Sequence, residues 1–200
     1  MNAKHVLSLL EEQQTFLLPK LVMIDLEMTG VVPERDDILQ IAMLKLRLDD
    51  NSYAVVGEPL EIFLHSGRNP ENAFQREFLV DIFKACNQSS TTIQEARDQI
   101  AEWLAQDEYT VSTPVGDAIH QDMAFLYNKG LIDRGDIVDD KPVAGTFHYE
   151  MFDLNVLKLV SRQKTGVKES LELDKGIHNA MVDCKNQLVE LNHYLQVLLS

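Results

Sequence analysis

A chain of 200 residues with 32 acidic against 18 basic side chains, a formal net charge of −14, is ill suited to gripping long duplex nucleic acid through a broad basic surface. The charge leaves open an enzyme of short or single-stranded nucleic acid, because a bound cation can supply positive potential where it is needed. The apolar content is that of one globular domain, no stretch approaches a membrane span, and the N-terminus lacks the pattern of a signal peptide. Two distant cysteines, Cys86 and Cys184, read as small packing residues in a reducing compartment, so a cytoplasmic protein is expected.

Residues 3–17 place Val6, Leu9, Leu10, Phe16 and Leu17 at helical intervals before Pro19, which predicts an N-terminal helical extension over 1–18 and a single domain over 19–200. The run Leu21 to Gly30 (LVMIDLEMTG) reads as a buried strand ended by a Thr-Gly turn. Side chains alternate along a strand, so Asp25 and Glu27 share one face with their Cα atoms roughly 6.6 Å apart. Such a pair is either an incidental solvent-exposed strand end or a ligand pair for a hard divalent cation, Mg²⁺ or Mn²⁺. Strands follow at 38–48 and 54–64, joined by Asp49-Asp50-Asn51-Ser52, a hairpin turn by composition. Helices are predicted over 72–86 and 92–106, a fourth strand over 109–115, a helix over 119–129 closed by Gly130, a fifth strand over 147–152 and a helix over 154–162. A last helix carries Met181, Cys184, Leu188, Leu191, Leu195 and Leu198 as an apolar stripe. Three antiparallel strands followed by alternating helices and strands imply an α/β fold: a mixed five-stranded sheet with helices on both faces.

Two further acids are candidates for the same site. Asp122 lies in the first turns of the helix after the fourth strand, and Asp183 follows His178 by five residues. Five residues are about 500° of helix, so both reach one pocket only if His178 stands at the helix entrance and Asp183 one turn in. Four carboxylates and a histidine suit two-metal phosphodiester hydrolysis, with two cations about 4 Å apart. Asp25 would bridge, Glu27 and Asp183 would serve one cation, and Asp122 would act through water. His178 is the candidate general base, since imidazole exchanges protons near neutral pH.

The segments Asp25-Leu26-Glu27-Met28-Thr29-Gly30, Asp122 and His178-x-Ala180-x-x-Asp183 resemble, in order and spacing, the DEDDh family of 3′→5′ exonucleases, and within it the oligoribonuclease branch. The likeness extends through Pro33 to Asp36, Ile41-Ala42, Phe147-His148-Tyr149 and Asp153, spanning 20 to about 195. It implies an RNase H-like fold, two Mg²⁺ or Mn²⁺ per site, release of nucleoside 5′-monophosphates from a 3′ end, and a homodimer. It also implies substrate contact by Met28, Thr29, Gly30, Val31 and Tyr149. Three departures stand out. Val31 occupies the place of a wedging Leu, and Ala118 and Glu150 fall where a Ser and an Arg of the family cap a dinucleotide's 5′-phosphate. The family's Trp and His-x-x-Ser-Gly-Leu segment is not recognisable within 74–92. A Glu in the Arg position repels phosphate, so loss of strict dinucleotide selection is expected.

Other candidates have plainer readings. His120 is expected at the surface, and His5, His65 and His193 lack partners at ligand spacing. Phe74, Phe78 and Phe83 at helical spacing suit a core, with base stacking as the alternative. Lys175 reads as solvated, and Asp133, Asp136, Asp139 and Asp140 as an exposed acidic loop without an EF-hand pattern. RNA and DNA both remain open as substrates. The competing functions are a non-catalytic nucleic-acid or partner-binding module on an exonuclease fold, and a metal-dependent phosphatase.

Overall fold

The computed structural model describes residues 20–200 apart from 110, 136, 139–140, 143–144, 167–170, 172 and 175–177. The expected N-terminal helix, Lys175 and most of the acidic loop therefore lie outside the described residues.

Strand β1 (Lys20–Met28) is central, antiparallel to β2 (Ile38–Asp49) on one side and parallel to β5 (Thr113–Gly116) on the other. Beyond β5 lies β8 (Phe152–Asp153), also parallel, while β3 (Ser52–Val55) and β4 (Leu60–Phe63) both pair with β2. A separate two-stranded ribbon joins β6 (Ile137–Val138) to β7 (Lys141–Pro142). Helices α1 (Ala73–Phe78), α2 (Val80–Gln88), α3 (Ile93–Ala105), α4 (Ile119–Asn128), α5 (Leu154–Thr165) and α6 (Ala180–Leu199) complete the chain. Among the described residues no helix is long and apolar enough to cross a membrane.

The continuous apolar run of β1 reflects burial on both faces. Val22, Ile24 and Leu26 pack with Ile100 and Leu104 of α3 and Met123 and Leu126 of α4. Leu21 and Met23 pack with Leu154 of α5 and Met181, Cys184 and Leu191 of α6. Alternation places Asp25 and Glu27 on this second face, toward the start of α6.

The expected third strand proves to be two, which makes the sheet six-stranded. Gly57 turns the chain with φ +66° and Pro59 follows, so β3 pairs Leu46 to Asp49 while β4 pairs Gln40 to Met43. The hairpin chemistry holds: Asp50 and Asn51 take φ +40° and +69°, the pair of left-handed residues that a two-residue turn between twisted strands requires. The helix expected over 72–86 breaks at buried Leu79 (φ −109°, ψ 6°) into α1 and α2. The fourth strand begins only at Thr113, after Val111 at φ +65°, and the fifth shrinks to Phe152–Asp153. Local capping follows the sequence closely. Thr92 and Glu95 form a reciprocal capping box on α3, Asp153 caps α5, and Gly166 ends it with φ +71°.

Parallel β1 and β5 end at the same edge of the sheet. At that edge Gly116 lies so close to β1 that a Cβ there would stand 2.7 Å from the Ile24 carbonyl oxygen. This approach brings the β5–α4 connection, and with it Asp122, against the strand that carries the acid pair.

Candidate active site

Helix α6 is attached to the sheet at its first turn. Asn179 caps it, accepting from the N–H groups of Met181 and Val182 at 3.1 Å. Buried Gln40, the ladder neighbour of Glu27 on β2, accepts from Ala180 N–H at 3.0 Å and donates to Glu61 Oε1 at 2.6 Å. His178 thus stands just before the N-cap and Asp183 lies in the first turn, its N–H donating to Asn179 O at 2.9 Å. That is the geometry the five-residue spacing demands. Carboxylate oxygens of Asp25, Glu27 and Asp183 all lie within 4.8 Å of one another.

Asp122 arrives in the first turn of α4, buried, and is not one of that close trio. It is near enough that its charge pushes up the pKa of Asp25 and is itself pushed up by Glu27. Burial is the largest cause throughout. It holds Asp25 and Asp122 well above the usual carboxylate range, and carboxylate repulsion adds to it. Glu27 is pushed up to about 7 by burial and then by Asp183, and burial also raises Asp183. Among the described residues no Lys or Arg is ion-paired with any of the four. A buried set of mutually repelling hard oxygen donors fits a divalent cation such as Mg²⁺ or Mn²⁺.

A pH dependence follows. A carboxyl whose pKa is raised on folding leaves the protein at full stability below the unfolded carboxylate range, and that stability is lost as pH rises through the folded value. Metal-free protein should therefore weaken between about pH 4.5 and 7, by on the order of 3 kcal/mol from Glu27 alone. Added Mn²⁺ should raise Tm more at pH 8 than at pH 5, because protons compete for the ligands. Thermal melts in EDTA and in Mn²⁺ across that range check both signs; an equal rise at both pH values would count against a carboxylate metal centre.

His178 is half-buried, with its ring edge-on to Phe74 and Phe78 at centroid distances of 5.0 and 4.9 Å. The core reading of the phenylalanines holds for Phe83, 2% exposed, but not for Phe74 and Phe78, which are 48% and 36% exposed beside the histidine. The chain after β1 is tightly tied. Thr29 exchanges bonds with Asp37 through its N–H and its hydroxyl oxygen, both at 2.9 Å. Gln75 of α1 donates to Thr29 O at 2.8 Å, and Gln121 of α4 donates to Val31 O at 2.7 Å. Gly30 has no room for a side chain because the Asp36 carboxylate lies against it. That carboxyl is held down at about pKa 2 by hydrogen bonds from Arg35 and Val32 N–H. Val31 is left 73% exposed at the rim of a cavity of about 350 Å³ lined by Thr29, Gly30, Asn72 and Gln75. Met28, at the end of β1 after a register shift, is half-buried.

Tyr149 is exposed and stacks on His148 at 4.3 Å, and Glu150 lies with its carboxylate 3.8 Å from His148 Nδ1. Ala118 precedes α4 at φ +50° and offers no side-chain cap. His120 is exposed, 3.7 Å from Asp153, and Cys86 and Cys184 are buried and free. Missed by sequence reasoning were Gln40 and Gln187, both buried; Gln187 donates to Asp25 Oδ1 at 2.7 Å. The available signal for Gln187 was its position one turn beyond Asp183 on the same helix face.

A family model described as Exonuclease (RNase T) matches residues 22–191. The oligoribonuclease of Ruthia magnifica subsp. Calyptogena magnifica is 31% identical over 189 residues, covering 90% of this chain and 96% of the relative. That of Pseudomonas aeruginosa is 32% identical over 182 residues, 87% of this chain and 93% of the relative. Among solved structures, exonuclease I from Methylocaldum szegediense superposes with a TM-score of 0.60 at 16% identity, covering 86% of this chain and 40% of that one. Escherichia coli exonuclease I, in complex with a 5cy-dA13 oligonucleotide, gives 0.58 at 14% identity, covering 90% and 42%. The chain spans well under half of exonuclease I, and at these identities the likeness speaks for a shared fold. Taken with the carboxylate pocket, these similarities show that the chain belongs to the exonuclease family, as a 3′→5′ exonuclease that is oligoribonuclease-like over nearly all of its length.

Proposed function

We propose that residues 19–200 form a catalytic domain that removes nucleotides from the 3′ end of short single-stranded nucleic acid, RNA or DNA, as nucleoside 5′-monophosphates. Two Mg²⁺ or Mn²⁺ ions would be held by Asp25, Glu27, Asp122 and Asp183. The carrying observation is the close trio Asp25, Glu27 and Asp183 with buried Asp122 beside it. When bound, such cations neutralise phosphate charge and acidify the attacking water. The chain's own side chains do the rest. His178 accepts the proton of that water, with its ring steered by the edges of Phe74 and Phe78. The tied segment Met28 to Val31 holds the terminal nucleotide, with Val31 projecting where a base would pass and the two exposed phenylalanines offering stacking faces. Tyr149, exposed and stacked on His148, is the third aromatic side chain assigned to substrate contact.

By the correspondence with the family, Ala118 and the exposed Glu150 of this chain stand in for the Ser and Arg that grip a dinucleotide's 5′-phosphate. Neither binds phosphate, and the second repels it. The relatives are named oligoribonucleases, and the substrate assigned to this chain is a short strand without selection for two residues. Cytoplasm, which keeps Cys86 and Cys184 reduced, is the compartment assigned, and a homodimer the assembly, to be checked by light scattering.

The experiment is a product ladder from 5′-labelled RNA and DNA oligomers of graded length with Mg²⁺ or Mn²⁺. Stepwise shortening from the 3′ end at similar rates across lengths is expected. Inertness toward every oligomer overturns the activity, and a strong preference for the 5′-phosphorylated dinucleotide overturns the length reading.

A further inference from the structure

We propose that Gln187 is a positioning residue for Asp25, clamped from behind by the ion cluster Asp117–Lys158–Glu190, and that this relay sets how tightly the carboxylate pocket holds divalent cations. The inference rests on the reading of that pocket as the metal centre.

Gln187 lies on α6, 5% exposed, and its amide is engaged at both ends. Nε2 donates to Asp25 Oδ1 at 2.7 Å, while Oε1 accepts from Asp117 N–H at 3.2 Å. Turning the amide over would set oxygen against carboxylate and NH₂ against N–H, so one orientation alone satisfies both neighbours. A carboxylate with one oxygen pinned in this way cannot swivel about its terminal torsion, so its remaining lone pairs keep a fixed direction. Gly116 makes the contact possible: a Cβ there would stand 3.3 Å from Gln187 Oε1 as well as 2.7 Å from Ile24 O.

The other side of Asp117 is held just as firmly. Lys158 of α5 reaches Asp117 Oδ2 at 2.6 Å and Glu190 Oε2 at 2.7 Å, with its side chain only 12% exposed. Glu190 is three residues beyond Gln187 on α6, so the ring closes: α6 to Asp117, Asp117 to Lys158, Lys158 back to α6. Charge-assisted bonds of this length are strong, yet taking three charges out of water is costly and adds little net stability. The arrangement makes sense as a device that fixes the β5–α4 connection, hence the Gln187 amide, hence Asp25. No motif flags it, because its members come from three separate elements.

The test is Mn²⁺ binding read from the free-ion EPR signal, with kcat and KM on a single-stranded oligomer and a thermal melt as companions. Gln187→Met keeps the side-chain bulk and removes the donor. It should weaken Mn²⁺ binding about 10–100-fold and lower kcat, with KM within about twofold of wild type. A packing role alone would lower Tm and leave the Mn²⁺ Kd of the folded protein unchanged, and that result overturns the proposal. Should Gln187→Met fail to fold, Lys158→Met decides: it leaves Gln187 in place, and weaker Mn²⁺ binding supports the relay while a wild-type Kd overturns it. A wild-type protein that binds no Mn²⁺ would sink the metal-centre reading itself, an outcome distinct from either variant's.

Discussion

Asp25→Asn should abolish hydrolysis and at the same time make the metal-free protein more stable. Asn matches Asp in shape, and its side-chain oxygen can still accept the Gln187 amide now bonded to Oδ1. What disappears is a buried negative charge that Asp122, Asp183 and Glu27 all repel, after a burial cost larger than any of those repulsions. Removing that charge stabilises the fold most above the unfolded carboxylate range, where wild-type Asp25 must on folding either bury its charge or take up a proton. The same charge is what a cation needs, so the rate should fall by more than about 10³ and the rise of Tm with Mn²⁺ should shrink. Urea unfolding in EDTA, run beside the oligomer ladder, reads both effects. Opposite signs for activity and stability mark a site whose geometry was kept at the expense of the empty protein. A variant that is active, or one less stable than wild type in EDTA, would show that Asp25 is a structural residue.

His178→Ala should lower kcat about 10²–10⁴-fold, the usual worth of a positioned general base. The ring is half-buried at the helix entrance and touches Phe74 and Phe78 by their edges, so its loss costs little packing. Mn²⁺ binding should stay near wild type, because the four carboxylates are untouched. The residual rate should climb with pH as hydroxide replaces the missing base. Together these results separate His178 from Asp25: one variant binds cations and fails at proton transfer, the other fails at binding. A His178→Ala protein within about threefold of wild-type kcat would assign the proton to another acceptor.

The two tests draw on parts of the molecule that were unequally legible. Alternation along β1 was enough to put Asp25 and Glu27 on one face, and turn chemistry placed the Asp50–Asn51 hairpin and the close of α4 before Gly130. The spacing of His178 and Asp183 could be stated only as a condition, a helix beginning between them, and Asn179 meets it. Other readings turned on neighbours far along the chain. One strand was expected over 54–64, but β2 offers two separate stretches for pairing, and Gly57 and Pro59 let the chain use both. Phe74 and Phe78 have the spacing of core residues, yet α1 ends at Leu79 and both rings lie partly exposed against His178, a partner a hundred residues further along the chain.

By itself the sequence determined the central strands and the longer helices in their order, the acid pair, the hairpin turn and the set of acids eligible for one pocket. Periodicity, turns and caps are decided by side chains within a few residues of one another, and such rules survive in a linear text. Only the tertiary structure decided that Asp122 arrives from the helix layer opposite Asp183, that Gln40 ties α6 to the sheet, and that Gln187 meets Asp25 from 162 residues away. Contacts of that range depend on how whole layers pack, and packing leaves no period to read.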